Sequence, residues 1–220
     1  MGSGRSLARS VVDNTLGTLD RCPVCQAAAA GSAGVCAACA AWLEAAAGAL
    51  PPPVGEWCWV GPYAGPLHRC VSAFKHRGGR RLGDFLGRLL SVRVTAWRFQ
   101  ADLVTHVPTS ASRLAERGFD QAAVLAAVVA HAVRRSHVAM LARSPVAGTQ
   151  KRLTRAGRAV NAGGAFGATR SVSGRVLLVD DVLTTGSTYR ACAAALLSAG
   201  AQEVRGAFVA RTVRQAADHS

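Results

Sequence analysis

Val176–Ala199 reads VLLVDDVLTTGSTYRACAAALLSA, and its three parts decide the fold. Val176-Leu177-Leu178-Val179 is a continuous apolar run with β-branched ends, the pattern of a strand buried on both faces and hence of a parallel sheet. Asp180 and Asp181 close that run. Two carboxylates are costly inside a core, and the carboxyl ends of strands are where open α/β sheets bind ligands. The turn Leu183–Thr188 is small and rich in hydroxyls, and it leads straight into an Ala-rich helix. Such a turn aims backbone N–H groups outward, and the helix start adds partial positive charge. Gly186 lets the backbone approach a phosphate closely, while Thr184, Thr185, Ser187 and Thr188 add donors. A phosphate cradle beside two acceptors of vicinal hydroxyls matches a ribose 5-phosphate. The plainer alternative makes Ser187 or Thr188 an N-cap and the two acids a solvated strand end.

Working outward, strand-like and helix-like segments alternate from Trp57 onward, which argues for a mainly parallel α/β domain over residues 55–220. The patterns predict strands at Trp57–Tyr63, Asp102–Val107, His137–Ala142, Arg175–Val179 and Glu203–Ala210. Helices are predicted at Pro66–His76, Arg81–Trp97, about Asp120–Arg135 and Ser187–Ala199. Residues 143–163 show no period and carry Arg143, Lys151, Arg152, Arg155 and Arg158 without an acid. They read either as a mobile loop closing over a site or as solvated linker. Pro51, Pro52 and Pro53 form a stiff break that sets residues 1–50 apart as an N-terminal segment.

That segment carries Cys22-x2-Cys25 and Cys36-x2-Cys39, two paired turns ten residues apart. Each pair supplies two thiolates at one corner of a tetrahedron, so structural Zn2+ is expected, with an iron–sulfur cluster or redox pair as the lesser alternative. Cys58, Cys70 and Cys192 read as small core residues.

Half of the 220 residues are hydrophobic, enough for a real core. The net charge of +14 points to anionic partners, or else to an Arg-rich background in which the surplus is merely solvated. No stretch is apolar for long enough to predict membrane insertion, and the N-terminus lacks a secretory apolar region, so a cytoplasmic protein is expected. The sequence sets no oligomeric state.

The loop around Gly186 resembles the motif that binds 5-phosphoribosyl-1-pyrophosphate (PRPP) in type I phosphoribosyltransferases. More of the chain is similar to the ComF family of competence-associated phosphoribosyltransferase-like proteins. The matching stretches are the two Cys pairs; Tyr63-Ala64-Gly65-Pro66-Leu67 with Phe74-Lys75; His106-Val107-Pro108 with Arg117-Gly118-Phe119-Asp120-Gln121; and Thr149-Gln150 with Arg158 and Asn161. Asp120 is a departure, because the family usually has Asn there. The resemblance implies that Asp180 and Asp181 hold the ribose hydroxyls and that Thr184–Thr188 hold the 5′-phosphate. It implies that Pro108-Thr109-Ser110-Ala111 forms the pyrophosphate loop, often with a non-proline cis peptide. Lys75 gains a ligand role beside its plain reading as part of a solvated basic run. Arg113 and Arg117 either neutralise leaving-group charge or begin an exposed amphipathic helix. Mg2+ would accompany PRPP.

Two functions remain open at this stage. One is transfer of a phosphoribosyl group to an acceptor, with release of pyrophosphate. The other is handling of single-stranded DNA, with the fold kept for binding. The few aromatics count against the second, since single-strand binders stack bases on rings; Trp57, Trp59 and Tyr63 read more simply as core. A PRPP-responsive regulator is a third, weaker option.

Overall fold

The computed structural model describes residues 21–76, 79–143 and 165–212. Helix α1 (Ala37–Ala49) precedes strand β1 (Trp57–Pro62), then come α2 (Gly65–His76), α3 (Gly79–Ala96), β2 (Leu103–His106), α4 (Ala111–Arg117) and α5 (Gln121–Ala132). Strands β3 (Ser136–His137), β4 (Leu141–Arg143), β5 (Phe166–Ala168) and β6 (Arg175–Leu183) follow, then α6 (Ser187–Ser198) and β7 (Glu203–Arg211).

Five strands form one sheet in the order β1-β7-β6-β2-β3, and every pairing in it is parallel. The apolar run of β6 lies between β7 and β2, with Val176, Leu177, Leu178 and Val179 fully buried. Two apolar layers cover the sheet. Phe74, Phe85, Leu86, Leu125 and Val129 fill one, from α2, α3 and α5. Met140, Phe166, Tyr189 and Leu196 belong to the other, from α6 and the strand pair β4–β5. At roughly 1.5–3 kcal/mol for each large apolar side chain buried, these layers supply most of the driving force for folding.

Three expectations change. The predicted strand His137–Ala142 is two strands: β3 edges the main sheet, while β4 pairs antiparallel with β5. The chain leaves the main sheet after Val138, whose N–H reaches Val104 O, and Thr105 Oγ1 accepts the Met140 N–H and fixes the departure. β6 also runs on past Val179, since β7 continues beside it to the pairing Leu183↔Arg211, so Asp180 and Asp181 lie within the strand. Third, the described backbone has no cis peptide bond, so the Pro108–Ala111 loop is trans throughout. In that form Ser110 caps α4 by accepting the Arg113 N–H, and Thr109 N–H reaches Asp120.

The Cys-rich segment shares the main core. Cys22, Val24, Val35 and Leu43 pack in the same apolar layer as α3. Arg93 of α3, only 6% exposed, donates to Leu50 O, Pro51 O and Trp59 O, joining the end of α1 and the Pro run to β1. Arg69 of α2 donates to Pro23 O and Val24 O within the first Cys turn.

Candidate functional site

The carboxyl ends of β2 and β6 meet here, in the register His106↔Val179. Successive strand residues turn to opposite faces. Asp181 is reached by Lys75, the penultimate residue of α2, with Nζ 2.8 Å from Oδ2. Asp180 Oδ1 accepts the Asp181 N–H at 2.8 Å. Burial, then the charge of Asp181, pushes the Asp180 carboxyl up to about 8, against the pull of that N–H and of Lys75. Lys75 thus pairs with the outer of two adjacent acids, while the inner one is held toward its protonated form.

The phosphate loop follows directly. Gly186 is the N-cap of α6 at φ +77, a conformation that glycine adopts without strain. It has no side chain to cap the helix, and the loop's own acceptor, Thr185 Oγ1, stands 3.4 Å from Ser187 N. Thr184, Thr185 and Ser187 are exposed, and Thr188 is half-buried. The plainer alternative, an N-cap at Ser187 or Thr188, does not occur, because both lie inside the helix. A Cβ at Gly186 would stand 2.9 Å from Arg190 Nη1 and 3.4 Å from Trp57 Cζ2.

A second loop, Pro108–Ala111, leaves β2 beside this one. Pro108, Thr109 and Ser110 are half-buried, and Ala111 opens α4. Asp120 ties the loop down: Oδ2 accepts the Thr109 N–H at 3.1 Å, while Oδ1 caps α5 through the Ala123 N–H at 3.1 Å. Arg113 is exposed on α4. Arg117 instead turns toward the α4–α5 junction, where Nη1 donates to Gln121 Oε1.

The structure thus brings Lys75, Asp180 and Asp181 together and sets one loop on each of two neighbouring strand ends. Residues 144–164, with Thr149, Gln150, Lys151, Arg152, Arg155, Arg158 and Asn161, lie outside the described residues, as do residues 77 and 78 of the basic run. Sequence reasoning missed Arg190, whose Nη2 donates to Thr185 O at 2.8 Å. Its place four residues after Gly186 puts it over the first helical turn, so helical spacing was a usable signal. Arg211 lies over Trp57 and Trp59, at 5.6 and 4.7 Å from the ring centroids, at the β7 end paired with Leu183. His106 and His137 were also missed; Nδ1 of the first lies 2.9 Å from Nε2 of the second.

The four paired cysteines converge in a second site. The Sγ atoms of Cys22, Cys25, Cys36 and Cys39 lie within 4.8 Å of one another, with Cys25 and Cys36 3.9 Å apart. Zinc–sulfur bonds of about 2.3 Å place tetrahedral sulfurs about 3.8 Å apart, so this thiol set fits such an ion. The N–H groups of Ala28 and Ala27 lower Cys25 to about 6, whereas burial and neighbouring sulfurs push Cys39 up to about 12. The cluster can hold a metal. Cys58, Cys70 and Cys192 are buried, as expected of core residues. Among the described residues no helix is long and apolar enough to cross a membrane.

Residues 107–220 match the family model "Phosphoribosyl transferase domain". DNA utilization protein YhgH of Escherichia coli O6:H1 is 31% identical over 170 residues, 74% of this chain and 75% of that protein. The protein of the same name in Escherichia coli K12 is 31% identical over 172 residues, again 74% of this chain and 75% of the relative. Among solved structures, glutamine phosphoribosylpyrophosphate amidotransferase from B. subtilis is 26% identical, with a TM-score of 0.42, over 60% of this chain but 27% of its own. The chain belongs to the phosphoribosyl transferase domain family, in the ComF-like group that includes DNA utilization protein YhgH.

Proposed function

We propose that this protein binds PRPP together with Mg2+ and transfers the phosphoribosyl group to an acceptor, releasing pyrophosphate. The observation that carries the reading is the juxtaposition of three parts at adjoining strand ends. These are the glycine-capped start of α6, the Asp180–Asp181 pair with Lys75 on Asp181, and the tethered Pro108–Ala111 loop. The first suits a 5′-phosphate, the second accepts bonds from the 2′- and 3′-hydroxyls, and the third suits the pyrophosphate.

In that reaction the acceptor's nucleophile bonds to C1 of the ribose as the bond from C1 to the pyrophosphate oxygen breaks. The electron pair leaves with pyrophosphate. Asp180 and Asp181 orient the sugar, so that part of the barrier is met by positioning. The hard carboxylate oxygens here suit Mg2+ chemistry, and the ion, when bound with PRPP, would offset the charge on the departing pyrophosphate. The decisive measurement is pyrophosphate release from PRPP across a panel of nucleophilic acceptors. Release with one acceptor, competed by ribose 5-phosphate, is expected; calorimetry showing no binding of either phosphoribosyl compound would reject the reading.

For the cysteine cluster we propose one structural zinc ion per chain. Four protein ligands leave no open position, so its role is to hold the turn against α2 and α3. Metal analysis should find one zinc, and Cys36→Ser should lose it; wild-type protein without zinc would refute this.

A second reading is favoured by the relatives, which are named as DNA utilization proteins. Here the basic residues engage single-stranded DNA. Lys151, Arg152, Arg155 and Arg158 could meet two to four phosphates, a slope of roughly −1.5 to −3 in log K against log salt. Anisotropy with a labelled oligonucleotide measures it, and Arg152→Ala with Arg155→Ala should flatten the slope by about one unit or more. Absence of binding at low salt would end this reading.

A further inference from the structure

A carboxylate beside a loop proposed to seat pyrophosphate is electrostatically unfavourable, yet Asp120 sits there. Its two oxygens do different things. Oδ1 caps α5 through Ala123 N–H, and Oδ2 accepts Thr109 N–H from the loop while standing 3.9 Å from His106 Nε2. Behind it, His106 Nδ1 and His137 Nε2 lie 2.9 Å apart in a hydrogen bond between neighbouring strand ends. One carboxylate therefore joins a loop, a helix and an imidazole pair. An amide could not replace it, because only one of its two terminal atoms accepts a hydrogen bond.

We propose that Asp120, backed by His106 and His137, is a positioning unit that sets the Pro108–Ala111 loop to receive pyrophosphate and couples that binding to proton uptake by the imidazole pair. This rests on the proposed function, in which the loop is the seat of pyrophosphate. Burial holds His106 below the ordinary imidazole range, with Asp120 opposing that shift and His137 adding to it. Burial likewise lowers His137, again against Asp120. Both shifts favour the uncharged pair, in which one ring nitrogen of the contact donates and the other accepts. The other charged groups near the loop are Asp180, whose charge is coupled to Asp120, and Asp181 with its Lys75. Arg143 Nε donates to Pro108 O, and Arg117 is engaged with Gln121. An incoming pyrophosphate adds negative charge beside the imidazoles and raises their proton affinity. By reciprocity, protonating them raises affinity for pyrophosphate. Ribose 5-phosphate leaves this loop unfilled and lacks the effect.

The test is calorimetry of PRPP with Mg2+ and of ribose 5-phosphate from pH 8 to pH 5.5. PRPP itself takes up protons over this range, so the baseline is the His106→Gln protein, which keeps a polar side chain without the titration. Relative to that baseline, the wild-type ratio of PRPP to ribose 5-phosphate affinity should rise about fivefold or more toward pH 5.5. His137→Gln should follow His106→Gln. Asp120→Asn keeps a good helix cap and should lower PRPP affinity about tenfold at pH 8, the size of one charge-assisted hydrogen bond, while sparing ribose 5-phosphate. A ratio with the same pH course in the wild type and both histidine variants overturns this inference and leaves the proposed function standing. So does equal loss of both ligands in Asp120→Asn, which would tie Asp120 to the fold alone. Wild-type protein that binds neither ligand overturns both.

Discussion

The two ends of the central sheet treat the same side chain in opposite ways. At the amino end, Asp102 Oδ2 accepts the Arg175 N–H at 2.8 Å and lies 3.5 Å from Arg175 Nε. That N–H, chiefly, holds the carboxyl below its ordinary range. Nearby groups are engaged in the same way: Arg135 Nε donates to Ala101 O, and Gln202 N to Gly174 O. At the carboxyl end, Asp180 is pushed upward by burial and by Asp181, and the hydroxyl residues of its loop face solvent. A carboxylate held low is one the fold has stabilised. A carboxylate held high is kept at a cost in stability. The contrast therefore sets the two ends of the sheet apart in stability.

The largest expected effect strikes the carboxyl end. Gly186→Val forces a branched side chain into positive φ and against Arg190 and Trp57. It should lower affinity for PRPP and ribose 5-phosphate by about 100-fold or more, since it closes the approach to the backbone N–H groups. Calorimetry beside a thermal melt checks this; near-native affinity would remove the loop from the site. A smaller effect is expected from Asp181→Asn, which removes one acceptor for a ribose hydroxyl and frees Lys75. A lost hydrogen bond to a charged group costs about 1.5–3 kcal/mol, or about 10- to 100-fold in affinity for both ligands. Loss confined to PRPP would mean that Asp181 serves the pyrophosphate instead.

The carboxyl end was the more legible of the two in the sequence, for a physical reason. Its signals are local: an apolar run, two acids, a glycine and a helix lie within 24 consecutive residues. The cysteine cluster was legible too, because each pair closes its own turn and only one long-range meeting was needed. Contacts set by strand order were not. His106 and His137 are 31 residues apart and meet because β2 and β3 are neighbours, which no periodicity reports. Arg93 sits on a helix whose pattern marks its apolar stripe; that it would be buried, holding the end of α1, depends on where the Pro run lands. The single strand expected at His137–Ala142 failed because Thr105, in another strand, captures the Met140 N–H.

The smallest effect sharpens the comparison most, because the two ends predict opposite signs in different pH windows. Asp102 has a folded pKa below that of an ordinary aspartate, so its contribution is present above the ordinary carboxylate range and is lost as the medium is acidified through the folded value. Asp102→Asn should therefore melt below wild type at pH 7, and the gap should close below about pH 4. Asp180 has its folded pKa pushed up to about 8, against 3.8 for a free aspartate side chain. Between those values the folded protein keeps a proton that the unfolded chain gives up, so stability falls as pH rises from about 4 to about 8. Asp180→Asn removes that loss. It should lie closest to wild type near pH 4 and melt higher at pH 8.5, with the gap growing as pH rises between those values. Saturating PRPP should narrow the difference, because the ligand stabilises only the protein that retains the full hydroxyl clamp. Melting curves for both variants over that pH range decide the matter. If Asp180→Asn tracked wild type at every pH, the carboxyl end would be as well satisfied as the amino end, and stability would no longer set the two ends apart.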